Sequence, residues 1–263
     1  MFLHSTDPSQ HPALSSFVSE EFYDGRLRNS PRVTRSLEIV HPGLKATLLE
    51  ILAESYSDQE KRNTFMEDTR DEQLRLQYIQ MPNGDRDDLE FSERGSVAVP
   101  HHINIFFRKI FPKLQKFFGA NMEKEVLIIC GYSMAVSFSF LPSKSQLTNS
   151  SQIRKYDESI HYWKKLLKLP ATHFPRVLTI DASQGQEASM IIVDGSMRFS
   201  DTMGFMKDRG RSNVAMTRAK NVLWILGGSL EKLHPDRRVS GPVAPFVKLK
   251  KKLQEMGQVH KFV

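Results

Sequence analysis

The sequence predicts an α/β fold in which a mostly parallel sheet is flanked by helices. Four short, mainly apolar runs occupy residues 126–130, 177–180, 190–193 and 222–226. Such runs are typical of strands buried on both faces of a parallel sheet. Helical spacing of apolar residues lies between these strands, at 156–169 and around 212–220. Strands that alternate with helices predict a doubly wound sheet.

The remaining elements follow from local patterns. We expect an amphipathic helix that ends near Asp24-Gly25, and a half-buried strand over 74–81 where apolar and polar residues alternate. Residues 101–118 show helical spacing that Pro112 should kink or split. Residues 44–71 combine a short helix pattern with a charged run to which the sequence assigns no structure. A basic helix is predicted over 246–256.

Composition limits the class of protein. Of 263 residues, 40% are hydrophobic and 25% charged, which predicts a folded chain. The net charge of +7 and the pI near 9.4 mildly favour a polyanionic partner. The single cysteine, Cys130, excludes an intramolecular disulfide and a Cys-based zinc cluster within the chain. With no signal sequence or membrane-spanning apolar run, we expect an intracellular protein, nuclear or cytoplasmic, with no membrane partner.

The first polar segment that suggests chemistry is 179–187, between two predicted strands. A polar loop at a strand end is a common place for a ligand. Gly185 would let the backbone approach a phosphate or a base, and Gln184 and Glu187 offer polar groups for ribose hydroxyls or a water. The alternative interpretation is an ordinary polar turn.

The second segment is 204–220, which is rich in Arg and Lys. On a helix beginning near Ser212, Arg218 would share a face with Val214 and point at a neighbouring surface. A guanidinium that reaches a transferred phosphoryl group stabilises its developing charge. The alternative is a solvated surface arginine.

In order and spacing, the two segments resemble motifs V and VI of the superfamily-1 helicases, in particular the Upf-like and Dna-type group. The motif V pattern T-V-D-x-x-Q-G-x-E is matched by Thr179, Asp181, Gln184, Gly185 and Glu187. The motif VI pattern R-x-N-V-A-L-T-R-A-K is matched by Arg211, Asn213, Val214, Ala215, Thr217, Arg218, Ala219 and Lys220. The stretches 11–17 and 22–27 resemble the family's H-P-x-L and F-Y-x-G-x-L sequences.

The resemblance implies a RecA-like three-layer domain of the P-loop NTPase type and the second motor domain of a helicase. It implies that ATP with Mg²⁺ binds between two such domains, with Arg218 as the catalytic arginine finger on the γ-phosphate. The ATP-facing residues would be Gln184, Gly185, Glu187, Tyr132 and Arg218. Those nearer the nucleic acid would be Thr179, Ser183 and Asn213. Tyr132 would stack on adenine, or else fill the core.

The chain also departs from the family. Ser9 stands where the family has a second γ-phosphate arginine, and Tyr132 is all that remains of motif IV. No glycine directly precedes a lysine, so the phosphate-binding loop G-x-x-x-x-G-K-[ST] is absent.

Asp194 follows an apolar strand but lies in motif V, so we do not assign it to a metal. We interpret His101 and His102 as surface or capping residues at a helix start, and expect no metal site.

These observations predict the C-terminal motor half of an ATP-dependent superfamily-1 helicase acting on single-stranded RNA or DNA. The helicase C-terminal RecA-like domain would span 1–240, with 1–73 as a loosely assigned part, and 241–263 would form a basic helical appendage. Such a half should not hydrolyse ATP efficiently alone, because it needs an N-terminal RecA-like domain, supplied by a second chain or lost from a truncated gene model. The alternatives are a degenerate nucleic-acid-binding or protein-interaction module, and a small-molecule α/β enzyme.

Overall fold

The computed structural model describes residues 10–29, 34–82, 90–91, 97–131, 151–195, 208–228 and 244–262. Six parallel strands form one sheet in the order β5-β4-β6-β7-β1-β8. They are β1 (Leu76–Gln80), β4 (Val126–Cys130), β5 (Arg176–Thr179), β6 (Ala188–Asp194), β7 (Ala219–Gly227) and β8 (Val259–Lys261). A short antiparallel pair, β2 (Glu90–Phe91) and β3 (Val97–Ala98), lies apart.

Alternation along the central strands divides the core into two layers. In β4, Val126, Ile128 and Cys130 join the core on one face, whereas Leu127 and Ile129 join the core on the other. Successive side chains of a strand point to opposite faces, so an all-apolar strand needs cover on both. The predicted two-sided burial of this run is confirmed.

Helices supply that cover. One face is covered by α2 (Leu37–Val40), α3 (Leu44–Ala53), α5 (Asp71–Arg75), α6 (Pro100–Ile105), α7 (Phe111–Phe118), α8 (Met122–Glu125) and α9 (Ser151–Leu167). The other face is covered by α1 (Pro12–Tyr23), α10 (Arg209–Met216) and α11 (Pro245–Glu255). Helices on both faces of a parallel sheet confirm the predicted α/β fold, consistent with a RecA-like arrangement.

Two predicted elements differ in detail. β1 is buried along nearly its whole length because both faces of the sheet are covered there: Tyr78 joins the core on one face and Ile79 joins the core on the other. The prediction of a half-buried strand was therefore wrong. The helix predicted over 101–118 contains a π-helical turn, Phe106–Ile110, between α6 and α7. The N–H of Phe111 donates to the carbonyl of Phe106, a spacing of five residues, just before Pro112.

The helix predicted around 212–220 is α10, which begins and ends earlier. Asp208 caps its start, accepting a hydrogen bond from the N–H of Arg211 at 2.7 Å. The helix ends at Met216, and Lys220 already lies in β7. Arg218 therefore lies in the turn between helix and strand, and its predicted placement within the helix was wrong.

The charged run without an assignment forms α4 (Gln59–Asp68), which has no buried residue. The segment expected as a basic appendage forms α11 and then β8, which extends the sheet beside β1. Within the described ranges, no helix combines the length and apolar character needed to cross a membrane.

Candidate functional site

The two motif segments meet where β6 and β7 begin. These strands are parallel neighbours with Ala188 opposite Ala219, and the N–H of Ala188 donates to the carbonyl of Arg218 at 3.3 Å. Glu187 and Arg218 each directly precede one of these paired residues. The fold therefore places them side by side at the amino-terminal edge of the sheet, although they are 31 positions apart in the sequence.

The guanidinium of Arg218 is held against the end of α10. Its Nε donates to the carbonyl of Val214 at 3.0 Å, and its Nη2 donates to Oγ1 of Thr217 at 2.9 Å. The last carbonyls of a helix lack the usual N–H partner four residues on, so an arginine there can donate to one of them, here beside the N–H and hydroxyl of Thr217. No hydrogen bond joins Nη1 to any described residue. The side chain is thus anchored on one side and retains a donor for an anion.

Glu187 is exposed and pairs with Lys220, the two charged atoms being 3.4 Å apart. Lys220 is the final residue matched in motif VI, so this ion pair joins the two motifs across β6 and β7. A second ion pair, Arg211 Nε to Asp181 Oδ1 at 3.2 Å, also joins them. Both pairs are solvent-accessible, so a ligand can compete for either.

The loop that carries motif V starts as a tight turn. Oγ1 of Thr179 accepts from the N–H of Ala182 at 3.1 Å, and the hydroxyl of Ser183 donates to the carbonyl of Ile180 at 2.7 Å. Ser183 is fully buried. Its hydroxyl therefore holds the turn together, and a contact with nucleic acid would require that turn to open.

Gln184 and Gly185 are exposed after this turn. Thr179, in contrast, lies at the carboxyl edge of the sheet, in register with Cys130, which itself is opposite Asp194 at the end of β6. The loop consequently crosses from one edge of the sheet to the other. Two of the residues predicted to face ATP, Glu187 and Arg218, share the amino edge, whereas Thr179 does not.

Asn213 lies inside α10 and is half-buried. Its Nδ2 donates to the hydroxyl of Tyr23 at 2.8 Å, which ties α10 to α1, and its buried Oδ1 has no hydrogen-bond partner. An unsatisfied buried acceptor is costly and uncommon. The residue thus has a structural contact on one side and an unused acceptor on the other.

The chain's first described residues also reach this edge. Gln10 is buried, and its Nε2 donates to the carbonyl of Met216 at 2.8 Å. The N–H of His11 donates to the carbonyl of Lys220 at 3.1 Å. These contacts satisfy carbonyls at the end of α10 and in β7, which sequence patterns did not reveal. Ser9 and Tyr132 lie outside the described residues.

A buried polar cluster lies at the opposite, carboxyl edge. Asp194 is fully buried and accepts from Nε2 of Gln152 at 2.7 Å and from the hydroxyl of Tyr156 at 2.9 Å. Burial and the nearby Asp194 carboxylate raise the pKa of Tyr156, so its hydroxyl keeps the proton that it donates. No pattern in the sequence indicates these contacts, because α9 and β6 are far apart in the chain.

His102 belongs to the same cluster. It is fully buried with Nδ1 3.7 Å from Oδ1 of Asp194, so its prediction as a surface or capping residue was wrong, whereas His101 is half-buried at the start of α6. Within the described ranges, no group of three or more His, Cys, Asp or Glu side chains is arranged to hold a metal ion.

Comparison with known proteins supports the resemblance to a superfamily-1 helicase domain. A family model described as an AAA domain matches residues 9–230. The chain is also similar to Helicase SEN1 of Saccharomyces cerevisiae, with 24% identity over 229 residues. The match covers 82% of this chain but 8% of that protein, so the chain corresponds to a small part of the relative's length.

Proposed function

Because the chain belongs to the AAA domain family and is a superfamily-1 helicase-like domain, we propose that it is the C-terminal motor half of an ATP-dependent helicase. The observation that carries the proposal is the placement of Glu187 and Arg218 together at the amino edge of the sheet. ATP with Mg²⁺ would bind between this edge and an N-terminal RecA-like domain that brings the phosphate-binding loop.

Arg218 would act as the arginine finger. Phosphoryl transfer spreads negative charge over the γ-phosphoryl oxygens, and a guanidinium held in place stabilises that charge without reorganising first. The hydrogen bonds of Nε and Nη2 to Val214 and Thr217 supply this anchoring, and Nη1 supplies the donor.

Glu187 would accept hydrogen bonds from the ribose hydroxyls of ATP. Its ion pair with Lys220 is exposed, and exposed pairs contribute only about 0–1 kcal/mol, so a nucleotide can displace or share it at small cost. The neighbouring Gln184 and Gly185 are exposed, and Gly185 has no side chain to hold a ligand away from the backbone.

The partner of the motor would be single-stranded RNA or DNA. The net charge of +7 favours a polyanion, and Thr179 lies at the other edge of the sheet from the nucleotide residues. A nucleotide at one edge of the domain and nucleic acid at the other suit a motor domain that moves along single-stranded nucleic acid as it hydrolyses ATP. Asn213 of α10 would contribute its unused Oδ1 acceptor to this track, and Ser183 would contribute by holding the motif V turn in place.

One substitution favours a second candidate function, a degenerate helicase-like domain that binds nucleic acid or a protein without supporting hydrolysis. Ser9 replaces the second arginine that the family directs at the γ-phosphate. A single arginine would then have to stabilise the transition state.

The test is an ATPase assay of the chain alone and mixed with a superfamily-1 N-terminal motor domain, with and without single-stranded RNA or DNA. We expect activity only in the mixture. Arg218→Ala should reduce kcat by about 10³-fold or more, because that is the usual contribution of an arginine finger. Arg209→Ala is the matched control, since this arginine of α10 pairs with Glu21 at 3.1 Å, away from Glu187.

The outcomes separate the two functions. Activity that survives Arg218→Ala would contradict the arginine-finger role. Absence of activity in every mixture, with nucleic-acid binding retained, would exclude the motor function and leave the degenerate binding module.

A further inference from the structure

An open groove of about 970 Å³ runs between the start of α6 with the π-helical turn and the middle of α9. Four of its lining residues are exposed: Asn104, Arg108, Glu158 and Tyr162. None of the residues singled out for ATP or motif contacts lines it. The groove is therefore a separate surface of the domain.

Its aromatic side chains form a platform for stacking. Trp163 is half-buried and stacks on Phe107, with ring centroids 6.1 Å apart and planes 13° from parallel. Tyr162 is 61% exposed, and its ring meets the edge of Trp163 at 5.9 Å. The tyrosine ring thus stands in solvent on a support fixed by the core. Rings presented in this way stack on nucleic-acid bases of any sequence.

Two cationic side chains, Arg108 and Lys155, line the groove beside the platform. Arg108 is exposed and makes no ion pair with any described residue. Glu158 is 3.1 Å from Lys155 and 3.7 Å from Arg154, so one carboxylate faces two cations there. Among the lining residues, Arg108 and Lys155 outnumber Glu158, so the groove has one positive charge in excess, which fits an anionic backbone.

The groove begins at the carboxyl edge of the sheet. Gln152, in the first turn of α9, donates to Asp194 at the end of β6, and its Oε1 accepts from the N–H of Val99 at the start of α6. Both helices therefore start at the edge where Thr179 lies. A single-stranded nucleic acid that passes this edge of the sheet can continue into the groove without crossing the edge that faces the nucleotide.

We propose that this groove binds single-stranded nucleic acid, with a base stacked on Tyr162 and the backbone phosphates near Arg108 and Lys155. The kind of ligand rests on the proposed helicase function, whereas the location rests on the groove's own aromatic and cationic side chains. Stacking and phosphate contacts carry little sequence information, which suits a motor that must move along any strand.

Intrinsic fluorescence reports on the groove directly. The chain has two tryptophans, and Trp224 is fully buried in the core, so a ligand-dependent change in emission reports on Trp163. We expect oligo(dT) or oligo(U) to quench this emission in the full chain. Trp163→Phe should abolish the change while a labelled oligonucleotide still binds, as measured by anisotropy.

Substitutions then test the affinity. Tyr162→Ala should weaken binding roughly 5- to 150-fold, the usual effect of losing one stacked base. Arg108→Gln should weaken binding and lower the slope of log K against log salt by about 0.7, the value for one single-strand phosphate contact. The controls are Ile39→Ala, a 66% exposed side chain on α2, and Lys61→Gln, an exposed cation on α4.

The proposal is overturned if the oligonucleotide binds without quenching Trp163 and with unchanged affinity in the two groove variants. It is also overturned if these variants weaken only the binding of an N-terminal motor domain, which would make the groove a protein-binding surface. Either result leaves the proposed motor function standing, because the effect of Arg218→Ala on ATP hydrolysis is measured separately.

Discussion

At the scale of single residues, Gly185 combines an unusual backbone with open surroundings. Its φ of +79° lies in the left-handed region, and a Cβ built there would meet no atom within 4 Å. The position therefore requires glycine for its backbone conformation and not for space inside the folded chain. The same absence of a side chain leaves room for a ligand.

Gly185→Ala should destabilise the protein by about 1 kcal/mol, because an alanine in the left-handed region is strained. Gly185→Asn should cost less, since asparagine tolerates this conformation better. Urea unfolding of the three proteins measures both effects. Equal stability of the alanine and asparagine variants would show that the turn relaxes to another conformation.

Residue identity predicted the exposed part of the candidate site but not its buried part. Gln184, Gly185 and Glu187 were expected to be available to a ligand, and all three are exposed. Ser183 and His102 were expected near ligand or solvent, yet both are fully buried. A short polar side chain can face either way, and the choice depends on the tertiary partners, here the carbonyl of Ile180 for the serine.

At the scale of elements, a buried arginine ties α5 to two other segments. Nε and Nη2 of Arg75 donate to Oδ2 of Asp71 at 3.0 and 2.7 Å. The same guanidinium donates to the carbonyls of Asn221 in β7 and Arg35 before α2. Burial lowers the pKa of Arg75, and the Asp71 carboxylate opposes that shift. The pair thus holds the start of β1 against β7.

Asp71→Ala should destabilise the protein by about 3–5 kcal/mol, because it leaves a buried guanidinium without its counter-charge. It also removes the acceptor for the N–H of Leu37, 2.9 Å away. Asp71→Leu combined with Arg75→Met should cost less than Asp71→Ala, since no unpaired charge remains. Chemical denaturation of the variants provides the measurement, and a double variant less stable than the single one would contradict this account.

The sequence predicted which helices and strands exist where apolar residues repeat regularly. It did not predict the residues at which these elements end. The strand and helix patterns located β4, β6, β7 and α9, because burial on defined faces dictates those patterns. The end of α10 at Met216 depends instead on Ala219 joining β6, a contact between distant residues. The π-helical turn before α7 likewise left no mark in the spacing of its phenylalanines.

At the scale of the whole molecule, strand order and edge could not be derived from local patterns. Alternation predicted a doubly wound sheet, but not that β8 would extend it beside β1. Nor did the motif V sequence show that its loop runs from the carboxyl edge to the amino edge, which separates Thr179 from Glu187. That crossing arises because β5 and β6 both run parallel to β4, so the connection from the end of β5 must return to the amino edge before β6 can begin.

The free energy of unfolding should also depend on pH, through a buried histidine in the edge strand β8. His260 of β8 is 2% exposed and packs against the rings of Tyr56 and Phe65, and burial lowers its pKa from 6.5 to about 4. The unfolded chain therefore binds a proton between pH 6.5 and 4 that the folded chain does not, so the stability falls as the pH falls through this window.

We expect His260→Gln, which removes the titrating ring, to reduce the loss of unfolding free energy between pH 7.5 and pH 5.0 by about 2 kcal/mol, the value that linkage gives for such a shift. Urea unfolding at the two pH values measures it. His161→Gln is the control, because His161 is exposed on α9. An equal pH dependence in the wild type and His260→Gln would mean that the His260 ring is protonated within the folded sheet.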